Sequence, residues 1–303
     1  MSIPKNHPSP LIIYVMLNSK VAIITGGASG LGLALAKSLS RKRWRVHAFD
    51  LDVNDEPILE SRLSSNLTFH KVDVASWDSL SSAFHTVFEA EGRLDFVFAN
   101  AGVMEKGTFF ERHNLSSPPP EPEDISIDVN LKGVIKTSYL AQHYFRASVN
   151  DDKDCVLVIT SSIAGIYPQS ITPFYAASKA GMVNFVRSIA PLFYEEDAIR
   201  TYAICPGSVR TNLLPNELWD AYPQEYLTPM QKVTSTIESL IYGTELEDSL
   251  GQRLDNSNVG LVIEIFVDDV YFRGPPSPCN DGMRYILEYM RPGKKEGTGK
   301  DAV

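Results

Sequence analysis

Short apolar stretches alternate along the chain with longer segments whose apolar residues recur at helical spacing. Seven stretches, rich in β-branched and aromatic residues, predict strands at 21–24, 46–49, 67–72, 94–99, 156–160, 199–204 and 259–267. Within 76–91, apolar residues fall at i, i+3, i+4, i+7 and i+8, which predicts an amphipathic helix. Segments 31–42 and 174–194 also predict helices, and Pro191 is expected to kink or end the second of them.

This alternation indicates one class of fold. Strands that are apolar throughout are covered on both faces, and their alternation with helices is typical of right-handed βαβ units. The sequence therefore predicts an α/β protein, a single doubly wound (Rossmann) domain at 19–290 with a mostly parallel seven-stranded sheet. Residues 1–18 are interpreted as an N-terminal extension outside the fold. Their apolar stretch 11–17 is too short to cross a bilayer, and a signal peptide is the alternative. The polar residues 291–303 are interpreted as a flexible tail.

Two segments interrupt the alternation. Residues 103–122 contain the run Ser-Ser-Pro-Pro-Pro at 116–120, which predicts a surface insertion. The second segment, 212–229, is rich in large apolar residues, namely Leu213, Leu214, Trp219, Tyr222 and Tyr226. Such a stretch lies either at the edge of the core or over a binding site as an apolar lid. We predict a lid at about 212–235.

Composition and charge narrow the classes of function. The chain has 303 residues, 44% of them hydrophobic, and is therefore long and apolar enough to form a core without disulfides or metals. The net charge is −9 and the only dense basic run is 41–43, which argues against nucleic acid as a partner. Three widely spaced cysteines without a CxxC pair fit a reducing, cytoplasmic location. No His, Cys, Asp and Glu residues have metal-ligand spacing.

A glycine-rich turn follows the first predicted strand. Gly26, Gly30 and Gly32 allow a tight turn into the helix at 31–42, whose first N–H groups suit a diphosphate. Plain strand–helix contact is the alternative, but the position near the start of an alternating fold favours nucleotide binding. Asp50 ends the second predicted strand, where a carboxylate accepts hydrogen bonds from ribose hydroxyls and repels a 2′-phosphate. We therefore predict NAD rather than NADP as the cofactor.

Two more polar positions follow the third and fourth predicted strands. Asp73, next to Val74, is expected to meet the amino group of an adenine ring. Asn100, followed by Ala101 and Gly102, is expected to let a ribose approach the backbone closely. Each of these motifs taken alone is also compatible with an ordinary turn.

One predicted helix carries the candidate catalytic group. Tyr175 and Lys179 are four residues apart at the start of 174–194 and therefore share a helix face. A phenol has a pKa near 10, so acting as a base near neutral pH requires roughly 3 units of depression, about 4 kcal/mol. We expect the Lys179 ammonium and a positive nicotinamide ring to provide it by Coulomb attraction. Ser162 is the candidate that holds the substrate oxygen, with Ser161 as the competing candidate.

Together these motifs resemble those of the short-chain dehydrogenase/reductase family. The matching features lie within about 19–270: TGGASGLG at 25–32, Asp50, Asp73, Asn100-Ala101-Gly102, Asn130 in VNLKG, Ser162, YAASK at 175–179 and Pro206 to Thr211. The sequence ICPGSV at 204–209 is most similar to the NAD-dependent 15-hydroxyprostaglandin dehydrogenase-like branch.

The resemblance implies roles for particular residues. It makes Tyr175 the acid/base, Lys179 its pKa tuner and a ribose ligand, Ser162 the donor to the substrate oxygen, and Asn130 the holder of a relay water. The cofactor-binding set is then Gly26, Ser29, Gly30, Leu31, Gly32, Asp50, Asp73, Val74, Asn100, Ala101, Gly102, Tyr175, Lys179, Pro206, Gly207, Val209 and Thr211. The resemblance also implies a homodimer or homotetramer, from whose usual dimer helix Pro191 is a departure.

These features predict an NAD(P)-dependent oxidoreductase that acts on CH–OH groups. The expected reaction is hydride transfer between a nicotinamide cofactor and a secondary alcohol or ketone, with Tyr175 moving the proton. The aromatic segment 212–229 predicts a large hydrophobic small-molecule substrate. Two alternatives stay open: an NADPH-dependent carbonyl reductase, and a non-catalytic dinucleotide-binding sensor or scaffold.

Overall fold

The computed structural model describes residues 19–53, 66–148, 154–255 and 258–290. Its strands are β1 (Val21–Thr25), β2 (Arg45–Asp50), β3 (Leu67–Lys71), β4 (Phe96–Ala99), β5 (Val156–Thr160), β6 (Arg200–Pro206), β7 (Val262–Phe266) and β8 (Asp269–Arg273). They form one sheet in the order β3-β2-β1-β4-β5-β6-β7-β8. Neighbouring strands from β3 to β7 are parallel, and β8 pairs antiparallel with β7.

Seven α-helices connect or follow these strands within the described residues. They are α1 (Gly30–Arg41), α2 (Trp77–Glu91), α3 (Gly133–Ala147), α4 (Pro173–Asp197), α5 (Asn216–Ala221), α6 (Met230–Tyr242) and α7 (Asp281–Tyr289). A π-helical turn, Ile127–Lys132, leads directly into α3.

The strand residues divide between two apolar cores, one on each face of the sheet. In β1, Val21 and Ile23 belong to the core shared with α2, α3 and α4, whereas Ala22 and Ile24 belong to the core shared with α1 and α6. This division follows from the two-residue period of a strand. Because both faces are covered, the strands are apolar throughout, and the predicted doubly wound Rossmann domain is confirmed.

Within the described residues the sheet has eight strands, where the sequence predicts seven. The predicted seventh strand ends at Phe266, and Val267 takes a positive φ of 53° in the turn that leads back along the sheet as β8. In β8 only Val270 and Phe272 are buried. This half-buried edge strand lacks the continuous apolar character from which the central strands are predicted.

The helix bounds narrow two further expectations. Helix α4 runs through Pro191 to Asp197, so the proline does not end it. The predicted lid extends to 235, but residues from Met230 onward belong to α6, where Val233 is fully buried in the core. Only the part of the predicted lid before Met230 lies outside the core helices.

Three other segments are predicted from the sequence: a surface insertion, an N-terminal extension and a C-terminal tail. Residues 106–124 are exposed and contain neither helix nor strand, as expected for a surface insertion. The predicted extension 1–18 and tail 291–303 lie outside the described residues. In the described ranges, every helix is too short or too polar to cross a bilayer.

Cys155 and Cys205 are buried and Cys279 is exposed, and none of the three forms a disulfide. Among the residues that the structure describes, no three His, Cys, Asp or Glu side chains gather in the way that metal ligands do.

Candidate active site

A cavity of about 570 Å³ opens at the carboxyl ends of the central strands. In a doubly wound sheet ligands bind at this edge, where the strand order reverses, which is here between β1 and β4. The predicted residues that line the cavity are Gly26, Ser29, Gly30, Leu31, Asp50, Asp73, Val74, Asn100, Ala101, Gly102, Ser162, Tyr175, Lys179, Pro206, Gly207, Val209 and Thr211. Two predicted residues, Gly32 and Asn130, are not part of its lining.

The glycine-rich turn forms one end of the cavity. Gly26 (φ 64°) and Gly30 (φ 51°) are in the left-handed region that favours glycine. A Cβ at Gly32 would collide with the carbonyl oxygen of Gly26, so only glycine lets the turn close onto α1. The N-cap residue of α1, Ser29, makes no side-chain cap hydrogen bond to the described residues, and the first turn has no acidic residue. Its N–H groups are therefore suited to an anionic group such as a diphosphate.

Two carboxylates end the neighbouring strands. Asp50 Oδ2 accepts a hydrogen bond from the Ala28 N–H at 2.9 Å, whereas its Oδ1 lies 3.5 Å from the Asp52 nitrogen, a weak contact. One oxygen of Asp50 thus holds the glycine-rich turn, and the other keeps acceptor capacity toward the cavity. Asp73 Oδ1 accepts from the Ala75 N–H at 2.8 Å, so Asp73 also stabilises its own turn.

Asn100 acts mainly as a cross-link within the protein. Its side-chain nitrogen donates to the carbonyl oxygens of Thr25 (3.2 Å) and Gly26 (3.3 Å). Its Oδ1 accepts from the hydroxyl of Thr160 at 3.1 Å. The side chain therefore ties the glycine-rich turn to the end of β5, and the main chain of 100–102 borders the cavity.

The segment 207–211, which follows β6, lines the cavity and faces the glycine-rich turn. The Gly207 N–H donates to the Ile265 carbonyl oxygen at 2.7 Å, which anchors the segment to β7. Further along, a Cβ at Gly30 would lie 3.2 Å from the side chain of Thr211, so this threonine faces the glycine-rich turn. The indole N–H of Trp219, in α5, donates to the Thr211 carbonyl oxygen at 2.8 Å. The predicted lid is thus attached to the segment that faces the turn.

Tyr175 and Lys179 lie in the first turns of α4, at the predicted positions. Lys179 Nζ donates to the Thr160 carbonyl oxygen at 2.9 Å and lies 5.4 Å from the centroid of the Tyr175 ring. A Cβ at Gly102 would be 3.6 Å from the same Nζ, so the ammonium lies against the segment that follows β4. Burial lowers the pKa of Lys179 to about 8.

The pKa of the phenol shifts in the direction opposite to the expectation. Burial raises the pKa of Tyr175, and a hydrogen bond with Ser162 offsets only part of that rise. The net shift stays upward although Lys179 is close by, and the Lys179 ammonium is itself desolvated and bonded to a carbonyl oxygen. The residues of this chain therefore hold the phenol in its neutral form.

The two candidate serines have different partners. Ser162 Oγ accepts from the Ala164 N–H at 3.1 Å, and Ser162 is hydrogen-bonded to Tyr175. Ser161 is buried and donates to the carbonyl oxygen of Lys179 at 2.8 Å. Ser162 is thus the serine beside the phenol, and Ser161 fastens α4 to the end of β5.

Asn130 lies behind the cavity wall, fully buried in the π-helical turn. Its Oδ1 accepts from the Val103 N–H at 2.8 Å, and its Nδ2 donates to the Val103 carbonyl oxygen at 2.9 Å and to Ser178 Oγ at 3.2 Å. The side chain is therefore used in protein contacts and joins three segments around the site. Single π-helical turns of this kind are frequent at functional sites.

Comparison with known proteins agrees with this geometry. Residues 20–220 match the family model described as short chain dehydrogenase. The chain belongs to the short-chain dehydrogenase/reductase family. It is 40% identical over 271 residues to short-chain dehydrogenase/reductase prx7 of Penicillium rubens, which spans 85% of this chain and 95% of that protein.

Two other similarities concern the branch of the family and the fold. The chain is 32% identical over 204 residues to the 15-hydroxyprostaglandin dehydrogenase (NAD(+)) of Homo sapiens, spanning 65% of this chain and 71% of that one. The predicted resemblance to that branch is thereby confirmed. A 3-oxoacyl-(acyl-carrier protein) reductase from Brucella melitensis in complex with NAD has a similar fold, with a TM-score of 0.67, 24% identity, and coverage of 82% of this chain and 95% of that one.

Membership of the short-chain dehydrogenase/reductase family establishes the class of chemistry. Its members are NAD(P)-dependent oxidoreductases acting on CH–OH groups, and this chain is an enzyme of that class. The residues present fit a dinucleotide, because the glycine-rich turn leaves a cradle that side chains would fill and the N-terminus of α1 is open to an anion.

Several residues of the site could not be predicted from the sequence. Glu105 Oε2 accepts from the Tyr175 N–H at 2.8 Å, although the two residues are 70 positions apart. Met104 and Gln169 line the cavity together with Leu213 and Trp219 of the predicted lid. No spacing signal in the sequence links Glu105 to Tyr175, because the contact depends on how a long surface segment folds back over α4.

Proposed function

We propose that this enzyme is an NAD-dependent dehydrogenase that interconverts a secondary alcohol and a ketone. The observation that carries the proposal is the meeting of Tyr175, Ser162 and Lys179 in the cavity that also contains the glycine-rich turn and Asp50. These two sets of residues come from opposite halves of the sheet. Their common cavity supports a reaction between a bound dinucleotide and a second small molecule.

The cofactor would be held at both ends of the cavity. Gly26, Gly30 and the first turn of α1 suit the diphosphate, Asp50 the adenosine ribose, and Lys179 the other ribose. The remaining contacts proposed from the family resemblance are Ser29, Leu31, Asp73, Val74, Asn100, Ala101, Gly102, Pro206, Gly207, Val209 and Thr211, with Gly32 shaping the turn. When bound, the nicotinamide supplies the hydride acceptor or donor, with a positive charge in the oxidised form.

The protein residues handle the proton and the substrate oxygen. In reduction, Tyr175 Oη donates its proton to the ketone oxygen. In oxidation, it would accept the alcohol proton as a phenolate, a form that the positive charge of a bound oxidised nicotinamide would favour. Ser162 Oγ donates a hydrogen bond to the same oxygen and stabilises the charge that develops there. Lys179, with a pKa of about 8, is able to exchange a proton near neutral pH. Asn130, whose side chain bonds Val103, is proposed from the family resemblance to hold a relay water.

The preference for NAD follows from Asp50. Its Oδ1 keeps acceptor capacity beside the glycine-rich turn, which suits ribose hydroxyls and repels a 2′-phosphate. The dense basic run at 41–43 lies at the C-terminal end of α1, away from that carboxylate along the chain. An NADPH-dependent carbonyl reductase is therefore the less favoured alternative.

The proposed substrate is large and hydrophobic. Met104, Ile163, Leu213, Leu214 and Trp219 give the side of the cavity near Tyr175 and the predicted lid an apolar lining. Apolar lining with a few convergent polar groups is typical of pockets for such ligands.

The assay combines cofactor binding with turnover. Fluorescence titration with NADH and NADPH should give tighter binding of NADH, and tighter binding of NADPH would favour the carbonyl reductase. Absorbance of NADH is then followed with a panel of apolar secondary alcohols. Tyr175→Phe should lower kcat by about 10²- to 10⁴-fold, because the proton carrier is lost. The matched control is Tyr139→Phe, an exposed tyrosine on α3, which should retain wild-type turnover.

Two outcomes would contradict the proposal. Turnover by Tyr175→Phe as fast as by the wild type would remove the assigned acid/base. Dinucleotide binding without turnover of any alcohol or ketone in the panel would favour the sensor or scaffold alternative.

The proposal extends to location and assembly. Three cysteines without a disulfide support a reducing compartment such as the cytoplasm. The homodimer or homotetramer implied by the family resemblance is tested by light scattering coupled to size-exclusion chromatography.

A further inference from the structure

The helix that carries Tyr175 lacks a cap of its own. Its N-cap residue, Thr172, makes no side-chain cap hydrogen bond, and its first turn contains no acidic residue. Pro173 has no N–H, and the Ala176 N–H is bonded to the Thr172 carbonyl oxygen at 2.9 Å. The N–H of Tyr175 is thus one of the unpaired donors that a helix start must satisfy from elsewhere.

Glu105 satisfies that donor from a distant part of the chain. Its Oε2 accepts from the Tyr175 N–H at 2.8 Å, across 70 residues of sequence. A carboxylate at this position also complements the positive end of the helix dipole. The bond joins the surface segment 103–122, which has no assigned role so far, to the residue that carries the proposed acid/base.

Two other contacts fix the same segment, one to the π-helical turn and one to α4. At its base, Asn130 bonds both the N–H and the carbonyl of Val103, at 2.8 and 2.9 Å. Beyond Glu105, the ring of Phe109 meets that of Phe174 edge-on, with centroids 5.6 Å apart. Glu105 therefore lies between two anchored points, and its carboxylate is held where the first turn of α4 begins.

We propose that Glu105 is a positioning residue for Tyr175, which it serves by capping the first turn of α4 from the 103–122 segment. This inference rests on the proposed function of Tyr175. Without the cap, the first turn of α4 frays and the phenol loses its fixed place relative to Ser162 and Lys179. Turnover should then suffer more than cofactor binding, because Asp50 and the glycine-rich turn belong to other elements.

The experiment compares Glu105→Ala with Glu105→Gln, whose amide oxygen accepts the same hydrogen bond. Glu105→Ala should lower kcat about tenfold, since small misplacement of a reacting group is costly, while the Kd for NADH stays within about twofold. Glu105→Gln should recover kcat to within about threefold of the wild type, because it restores the acceptor. The control is Glu111→Ala, an exposed carboxylate in the same segment, which should match the wild type.

A second readout does not depend on activity. Hydrogen exchange of a peptide covering 172–178 should be faster in Glu105→Ala than in the wild type and restored in Glu105→Gln. If the wild type turns over no substrate but exchange follows this order, the proposed function fails and the cap stands. Unchanged exchange in Glu105→Ala, or a Glu105→Gln variant as impaired in kcat as Glu105→Ala, would overturn the positioning role.

Discussion

Replacing Lys179 with methionine tests how much free energy the native state loses by burying an ammonium. Lys179 is 3% exposed, and burial lowers its pKa from 10.5 to about 8. A difference of about 2.5 units corresponds to about 3 kcal/mol of native-state free energy. Methionine removes that cost but leaves the Thr160 carbonyl without its donor, a loss of about 1–2 kcal/mol. We therefore expect Lys179→Met to raise the free energy of unfolding by about 1–2 kcal/mol at pH 7, while turnover is lost.

The gain in the free energy of unfolding expected for Lys179→Met depends on pH, because the native and unfolded states bind different numbers of protons. Below pH 8 both the native and the unfolded wild type hold the lysine proton, so the cost of burial is present in full. Between the native pKa of about 8 and the unfolded value of 10.5, the unfolded chain binds more protons, and the wild type gains stability as the pH rises. The advantage of Lys179→Met should therefore shrink by about 2 kcal/mol between pH 7 and pH 9.5.

Urea denaturation of both proteins at the two pH values measures this difference. The control is Lys106→Met, an exposed lysine, whose stability relative to the wild type should not change with pH in this way. A Lys179→Met variant that is less stable than the wild type at pH 7, by an amount independent of pH, would refute the reasoning.

Two other expectations concern the lid and a partly buried histidine pair. Trp219→Phe loses the hydrogen bond to the Thr211 carbonyl oxygen and should raise the substrate KM about three- to tenfold with little change in kcat. An unchanged KM in steady-state kinetics would contradict the attachment of the lid through this bond. Burial and the nearby His47 lower the pKa of His70 to about 4, so stability should fall by about 2 kcal/mol as the pH drops from 6.5 to 4. His70→Gln should show a smaller fall in Tm over that range, and an equal fall would argue against this role.

Much of the fold and site is predictable because the signals are local. Asp50 and the glycine-rich turn lie at strand ends, and parallel strands bring their carboxyl ends to one edge of the sheet. Tyr175 and Lys179 are one helical turn apart, so their proximity needs no knowledge of the tertiary structure. Strand β8 is different, because only two of its five residues are buried and its pattern is weak.

Other features depend on the tertiary structure and could not be predicted. Ser161 and Ser162 differ by one position, and only the backbone at the end of β5 decides which one meets Tyr175. The rise in the Tyr175 pKa reflects burial, a property that emerges only when the elements assemble. The capping of α4 by Glu105 needs a contact across 70 residues.

A chain of hydrogen bonds connects the buried Lys179 ammonium to the glycine-rich turn. Thr160 accepts from Lys179 Nζ through its carbonyl and donates to Asn100 through its hydroxyl, at 2.9 and 3.1 Å. Asn100 in turn donates to the carbonyl oxygen of Gly26 in the glycine-rich turn at 3.3 Å. A desolvated charge keeps its position only if its partners are themselves fixed. The hydrogen bonds that link Gly26, Asn100, Thr160 and Lys179 meet that requirement. The glycine-rich turn and the Lys179 ammonium therefore fix each other's position.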